Sequence, residues 1–290
     1  MDIATIKKWL GLFARRCTAI NVIFLGGEPT LHPDLSLAVK EARRLGFKSI
    51  TIDTNGYLFH GILDRITPDE VDFISFSLDG ATAGTNDSIR GKGSFAACTA
   101  GIRQAVSRGF STSMIYTVSH KNIHELAMMP DLVKHLGINR FFIQVIGIRG
   151  DSANEKHGLQ VSRKSWMEVV PKVAQRIARS GITVTYPTVF LGPEEPFQCA
   201  GRVADNYFIF PNGRVYRCPI CEDFPIHSLE IANDALIPRP GINEADLFNL
   251  TIAEGCVMNR LIQPGNLSYC HDGKPSYQIA CCLLKEEILP

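Results

Sequence analysis

The sequence predicts an α/β protein: a partial parallel βα barrel over residues 1 to about 190, then a small cysteine-rich hairpin domain over residues 191–290. Three observations lead there. Short β-branched runs alternate with amphipathic helical patterns through the first part of the chain, which implies parallel strands joined by crossover helices. Polar residues with chemistry to offer fall at or just past the ends of several successive strands, a barrel habit, whereas an open sheet concentrates them at one switch point. Seven of the nine cysteines crowd into the last third, and in a reducing compartment that density points to metal.

The chain opens with an amphipathic helix: Ile3, Ile6, Leu10 and Phe13 face one side, and Lys7, Lys8 and Arg15 the other. A helix in a parallel array normally returns the chain from a preceding strand. None precedes this one, so the helix reads as a cap, or the chain as starting one βα unit late. Strands are expected at Ile20–Leu25, Ser49–Asp53, Val71–Leu78, Thr112–Val118, Arg140–Ile146 and Ile182–Tyr186. Between them Leu35, Ala38, Val39, Ala42 and Leu45 recur at helical spacing behind a candidate cap, Asp34. Phe95, Thr99, Ile102 and Val106 repeat the pattern, as do Trp166, Val169, Val170, Val173 and Ile177. These stripes are core. Cys17 and Cys98, alone in helical segments, read as buried free thiols.

Composition excludes some classes. A net charge of +1 with 20% charged residues gives no basic field, so no nucleic-acid partner is expected. No apolar run is long enough to cross a bilayer, and the N-terminus lacks the order of a secretion signal. The expectation is a cytoplasmic protein without a membrane partner.

The most informative stretch follows the first strand: Gly26-Gly27-Glu28-Pro29-Thr30-Leu31-His32-Pro33-Asp34. Two glycines let a ligand approach bare backbone, and the proline holds Glu28 extended. A carboxylate beside open main chain at a strand mouth suits the amino group of a small amino acid. Asn55-Gly56 closes the next strand. Ser77 and Asp79 stand two residues apart, so on one strand they point the same way and share one polar ligand. The stretch resembles the GGEP motif of the radical S-adenosylmethionine (radical SAM) enzymes. The similarity continues through Thr54-Asn55-Gly56, Ser75–Gly80, a loop from Asn86 to Phe95 containing Arg90, Thr117-Val118 with Asn122, and Gln144–Gly147. These cover residues 1 to about 185 in the family's order.

The resemblance implies a partial barrel of radical SAM type. It implies S-adenosylmethionine (SAM) bound by Gly26, Gly27, Glu28, Pro29, Asn55, Ser77, Asp79, Arg90 and Gln144. In the family, reduction of the sulfonium by a [4Fe–4S] cluster yields a 5′-deoxyadenosyl radical that removes hydrogen from substrate. The ligands of that cluster, C-x3-C-x2-C, occur nowhere in this sequence. A truncated chain or a start codon assigned too late is the simplest expectation, against a true loss of catalysis. The radical-generating cluster is therefore implied only with an upstream segment, together with a reductant such as flavodoxin or ferredoxin and a peptide or small-molecule substrate. A catalytically silent barrel that binds SAM or a peptide is the alternative. A third reading is a non-radical barrel enzyme with structural zinc.

Cys199 is followed by 13 residues and Gly213, then by four residues and Cys218. Asn212-Gly213 is a hairpin signal between Tyr207–Phe210 and Val215–Arg217, and Cys218-Pro219-Ile220-Cys221 is a chelating pair. The spacing is similar to the opening of the SPASM and twitch domains of radical SAM enzymes, whose second half is not present. It implies one auxiliary [4Fe–4S] cluster on Cys199, Cys218 and Cys221, completed from the late cysteines, with Cys270 and Cys281 as the chosen candidates beside Cys256 and Cys282. Four thiolates would equally serve zinc. Other local patterns carry less. Gly91-Lys92-Gly93-Ser94-Phe95-Ala96 fits a dinucleotide fingerprint only formally, having no strand before it. His120, His124 and Glu125 read as a solvated helix start. Gly192–Pro196, with Glu194 and Glu195, reads as a cover over the barrel mouth or a linker.

Overall fold

Every β-branched run becomes a strand, within a residue or two of its expected bounds. In chain order the elements begin α1 (Ile3–Ala14), β1 (Asn21–Phe24), α2 (Leu35–Arg44), β2 (Ser49–Thr54), β3 (Phe73–Ser77), α3 (Ala83–Arg90) and α4 (Ser94–Ser107). They continue with β4 (Thr112–Val118), α5 (Met129–Leu136), β5 (Arg140–Val145), α6 (Arg163–Ala178) and β6 (Thr183–Pro187). The remainder is β7 (Phe190–Leu191), α7 (Ala200–Val203), β8 (Phe208–Ile209), β9 (Arg214–Tyr216), β10 (Leu229–Ala232), β11 (Ala235–Pro238), α8 (Glu244–Phe248), α9 (Asn259–Ile262), β12 (Gln278–Ile279) and β13 (Lys285–Ile288). This computed structural model describes all residues except 17, 18, 58, 60, 155–157 and 193. The buried-thiol reading of Cys17, and Pro193 in the expected mouth segment, lie outside the described residues.

The chain divides into two compact units. The first comprises Met1–Ile143, Val169–Thr185 and Glu287–Pro290, and the second Gln144–Glu168 and Tyr186–Glu286.

In the first unit the strands form one sheet in the order β1-β2-β3-β4-β5-β6-β13. β1 pairs β2, β2 pairs β3, β3 pairs β4 and β5 pairs β6, all in parallel. Among the described residues the sheet does not close on itself, and β1 lies at its edge. It is the sheet of a partial βα barrel. Its core is what the stripes foretold: Ile50, Ile52, Ile74, Phe76, Met114, Tyr116, Phe141 and Ile143 are inaccessible, as are Ala38, Val39 and Ala42 of α2. Fully burying each large side chain contributes about 1.5–3 kcal/mol.

Three local expectations change. Asp34 occupies the N-cap position of α2, but its side chain makes no cap hydrogen bond; its backbone carbonyl accepts from Leu37 and Ala38 instead. The stretch expected as a loop from Asn86 is helical. α3 starts at an N-cap, Thr82, whose hydroxyl accepts from the Thr85 N–H, and ends at Gly91, whose φ of 99° stops the helix. Glu125 is buried, not solvated. Its carboxylate accepts from the Ala81 and Thr82 N–H groups and from the Thr82 and Thr85 hydroxyls, fixing the start of α3.

The second unit carries an antiparallel sheet, β11-β10-β9-β8, and a small pair, β12-β7. The hairpin between β8 and β9 forms where Asn212-Gly213 signals it. Phe210 and Gly213 close the turn by a 2.9 Å hydrogen bond. Gly213 has φ 86°, and a Cβ there would lie 2.9 Å from the Ile231 carbonyl oxygen. Among the described residues no helix is long and apolar enough to cross a membrane.

Candidate functional site

The first unit gathers polar groups at the C-terminal ends of β1 to β4. Gly26 and Gly27 are exposed, and a Cβ built on either would meet nothing within 4 Å. The backbone is open to a ligand there. Pro29 starts a short 3-10 turn, Pro29–Leu31, with Glu28 at its N-cap. Oε1 of Glu28 accepts from the Thr30 N–H at 3.1 Å, the Thr30 hydroxyl at 2.6 Å and the Thr54 hydroxyl at 2.8 Å. Oε2 accepts from the Asn55 N–H at 2.8 Å. A carboxylate offers about four lone-pair positions, two on each oxygen. Oε1 is saturated, and Oε2 keeps one position for which no described residue supplies a donor. Asn55 in turn accepts the Tyr57 N–H on its side-chain oxygen, and Gly56, at φ 68°, packs where a Cβ would touch Cys98 and Phe76 at 3.0–3.1 Å.

Ser77 ends β3, so the strand alternation that would align it with Asp79 stops before Asp79 is reached. Asp79 is buried, 5% exposed. Its Oδ2 accepts from Arg90 Nε at 2.7 Å and its Oδ1 from the Thr117 N–H at 2.7 Å. Burial pushes its carboxyl upward, while Arg90 and the Thr117 N–H oppose that rise. Asn122 completes the knot, donating to the carbonyls of Asp79 and Thr117. Asp79 therefore holds Arg90, at the C-terminus of α3, in place. Cys98, buried as expected, lies behind these strand ends. Its thiol donates weakly to the Ser77 carbonyl, 3.7 Å away. Burial pushes it up to about 12, opposed by Arg90 and reinforced by Asp79 and Glu28. Gln144, the penultimate residue of β5, is half-buried and belongs to the second unit.

The second unit gathers thiols. Hydrogen bonding to Cys199 pulls the Cys281 thiol down to about 6, and the same bond with burial pushes Cys199 up. The Ala200 N–H adds a 3.4 Å contact to Cys281 Sγ. Cys218 and Cys221 form a second facing pair: hydrogen bonding to Cys221 lowers Cys218 and raises Cys221. Cys256, pushed up to about 12 chiefly by burial, feels both Cys281 and Cys218. Aromatic and apolar side chains wall the group, among them Tyr216, Phe248, Phe208 and Met258.

Cys256 enters through Gly255, where a Cβ would stand 2.6 Å from the Ile279 carbonyl oxygen. The Cys256 N–H donates to that same carbonyl at 2.9 Å, two residues before Cys281. Cys270, chosen from the sequence, stands apart and exposed. Its turn closes on Lys274, and among the described residues its sulfur meets only the Ser276 hydroxyl at 3.6 Å. Among the described residues no three His, Cys, Asp or Glu side chains form a ready site for one metal ion.

Sequence reasoning missed Glu244. It is fully buried and accepts from the N–H groups of Arg217, Cys218 and Ser228 and from the Ser228 hydroxyl. The capping box on Asn243 and Asp246 at the start of α8 was the available signal.

Residues 1–133 match the family model of the Radical SAM superfamily. The chain is similar to the PqqA peptide cyclase of Gluconobacter oxydans (strain 621H), 27% identical over 235 residues, 80% of this chain and 63% of that protein. It therefore spans less than two thirds of that relative's length. A crystal structure of Streptococcus suis SuiB bound to S-adenosylmethionine shares the fold with a TM-score of 0.61 at 15% identity, covering 76% of this chain and 54% of that one. The structure described as native anSMEcpe with bound AdoMet and Kp18Cys peptide shares it at 0.65 and 12% identity, covering 97% and 85%. By the matched domain and the related sequences, the first 133 residues of this chain are similar to the radical SAM superfamily.

Proposed function

We propose that this chain binds SAM at the ends of β1 to β3 and a thiolate-ligated auxiliary iron–sulfur cluster in its second unit, and that it serves the modification of a peptide. One observation carries the first part: Gly26 and Gly27 leave their backbone open beside a carboxylate with one acceptor position free. In this reading the ammonium of the methionine moiety donates to Glu28 Oε2, and Gly26 and Gly27 meet the rest of that moiety through their main chain. Pro29 and Asn55 fix the turn. The Ser77 hydroxyl, which engages no described residue, and Arg90, gripped by Asp79, orient the nucleoside side.

Bound SAM supplies a sulfonium whose C–S bond is cleavable by one-electron reduction. The thiol triad for a reducing cluster does not occur in this sequence, so no step through such a cluster is assigned to these residues. Radical formation belongs to this chain only where a cluster-bearing segment and a flavodoxin- or ferredoxin-like reductant join it.

Cys199, Cys218, Cys221, Cys281 and Cys256 fit an auxiliary cluster by the chemistry of the donor set: sulfur alone, in apolar surroundings. When bound, such a cluster supplies a one-electron centre or a point of substrate attachment, and the protein's part is to hold the thiols and exclude water. The domain reading, barrel to about residue 190 and cluster domain beyond, rests on the same thiols. A peptide substrate is supported by the name of the cyclase relative.

Calorimetric titration of SAM into the purified chain tests the first part. Saturable binding that weakens at least tenfold in Gly27→Val is expected, and undiminished binding in that variant overturns it. Incubating the chain, joined to a segment that carries the cluster thiols, with SAM and dithionite separates the silent reading from the catalytic one: release of 5′-deoxyadenosine supports the catalytic reading, and binding without release the silent one.

A further inference from the structure

We infer that Arg149 is a positioning residue for the Cys218–Cys221 thiol loop, and that the Arg149–Glu222 pair tunes the reduction potential of the iron–sulfur cluster those thiols hold. The inference rests on the auxiliary-cluster reading and goes beyond it to a residue outside the thiols. Arg149 Nη1 donates to the Pro219 carbonyl at 2.9 Å and pairs with the Glu222 carboxylate. Pro219 lies inside the chelating loop and Glu222 follows it, so one guanidinium grips both ends of the short 3-10 turn Pro219–Cys221.

Arg149 is itself held. The Ser152 hydroxyl accepts the Arg149 N–H at 2.9 Å, and its one proton has the Gly147 and Arg149 carbonyls, each at 2.6 Å, to donate to. The neighbouring Ile148 N–H donates to the Leu261 carbonyl at 2.6 Å. Gly147 approaches Ile220, whose Cδ1 would lie 3.8 Å from a Cβ at that glycine. The segment 147–152 therefore buckles the loop from outside, while buried Glu244 anchors the Cys218 N–H from within.

Both partners of the ion pair are about 30% exposed, so their charges are only partly screened. Charge and hydrogen bonding beside thiolate ligands are the protein's main levers on cluster potential. Reduction adds negative charge to the cluster. Deleting the cation leaves Glu222 unopposed and disfavours reduction, and deleting the anion leaves Arg149 unopposed and favours it.

The test uses the chain reconstituted anaerobically with iron and sulfide, titrated by visible absorption and electron paramagnetic resonance. Arg149→Met is expected to lower the reduced-to-oxidised ratio about tenfold at fixed potential, about 59 mV for one electron. Glu222→Gln is expected to raise it. A purely structural role would degrade the signal in both variants without opposite shifts. Shifts of the same sign, or none, overturn the tuning. In metal-free protein, iodoacetamide labelling of Cys218 and Cys221, read by peptide mass spectrometry, is expected to be faster in Arg149→Met and restored in part by Arg149→Lys; unchanged labelling overturns the positioning. If the wild-type chain takes up no iron and sulfide, the cluster reading and the tuning fall together, while the labelling still decides the positioning.

Discussion

Oε2 of Glu28 accepts the backbone N–H of Asn55 at 2.8 Å, so the exit of β1 is tied to the exit of β2 by the residue that follows the open glycines. One carboxylate builds the turn, and in the proposed function it also receives the ligand's ammonium.

Glu28→Ala removes the acceptor for two hydroxyls and two N–H groups. Leaving partly buried donors unpaired costs about 1–3 kcal/mol, read as a lower urea midpoint. SAM affinity is expected to fall with it. Glu28→Gln keeps the shape and loses the charge, so it should retain most of the stability while still binding SAM more weakly.

Gly80→Ala is expected to destabilise by about 1–3 kcal/mol through overpacking. A Cβ at Gly80 would stand 2.5 Å from the backbone nitrogen of Asn86, and backbone cannot yield as a side chain tip can. A melting temperature equal to wild type refutes this.

Arg90→Met strands the Asp79 carboxylate in the core. Removing one partner of a buried pair costs about 3–5 kcal/mol. Burial raises the Asp79 pKa and Arg90 opposes that rise, so without Arg90 it rises further. A raised carboxyl stabilises the fold when protonated and ceases to as pH climbs through its folded value. The deficit against wild type should be largest at neutral pH and shrink on acidification, as measured by denaturant midpoints across pH 4–8 (on the order of the range where protein stability is greatest).

Glu125 behaves with the opposite sign. Burial raises its carboxyl, but the hydrogen bonds from Thr82, Thr85 and Ala81 outweigh that and hold it below the ordinary 4.5. Its contribution is present above the ordinary value and lost as pH falls through the folded one. Glu125→Gln should flatten that acid limb of the stability profile, and an unchanged limb refutes the assignment.

Cys256→Ser and Cys270→Ser separate the two ligand sets. Iron bound after reconstitution, counted colorimetrically, should fall in the first and stay at the wild-type value in the second, since Cys270 stands exposed on its own turn.

The six barrel strands and the stripes of α2 and α4 could be read from the chain because burial imposes local periods on local sequence. The hairpin at Asn212-Gly213 was legible for a related reason: a left-handed turn selects its residues. Glycine spacing likewise marked Gly26–Glu28 as a strand mouth. Partnership at long range was not legible. Asp79 meets Thr117, Glu125 meets Thr82, Cys256 meets Cys281 and Glu244 meets Cys218, each pair separated by 25 residues or more. Sequence alone determined an α/β sheet, a glycine turn after β1 and a thiol-rich tail. The tertiary structure decided that Asp79 braces Arg90 and that Cys256, not Cys270, joins the thiols. The reason is physical: hydrophobic period and turn conformation are properties of neighbouring residues, whereas a hydrogen-bond or thiol partner is chosen only when packing brings distant backbone together, as Gly255 does against Ile279.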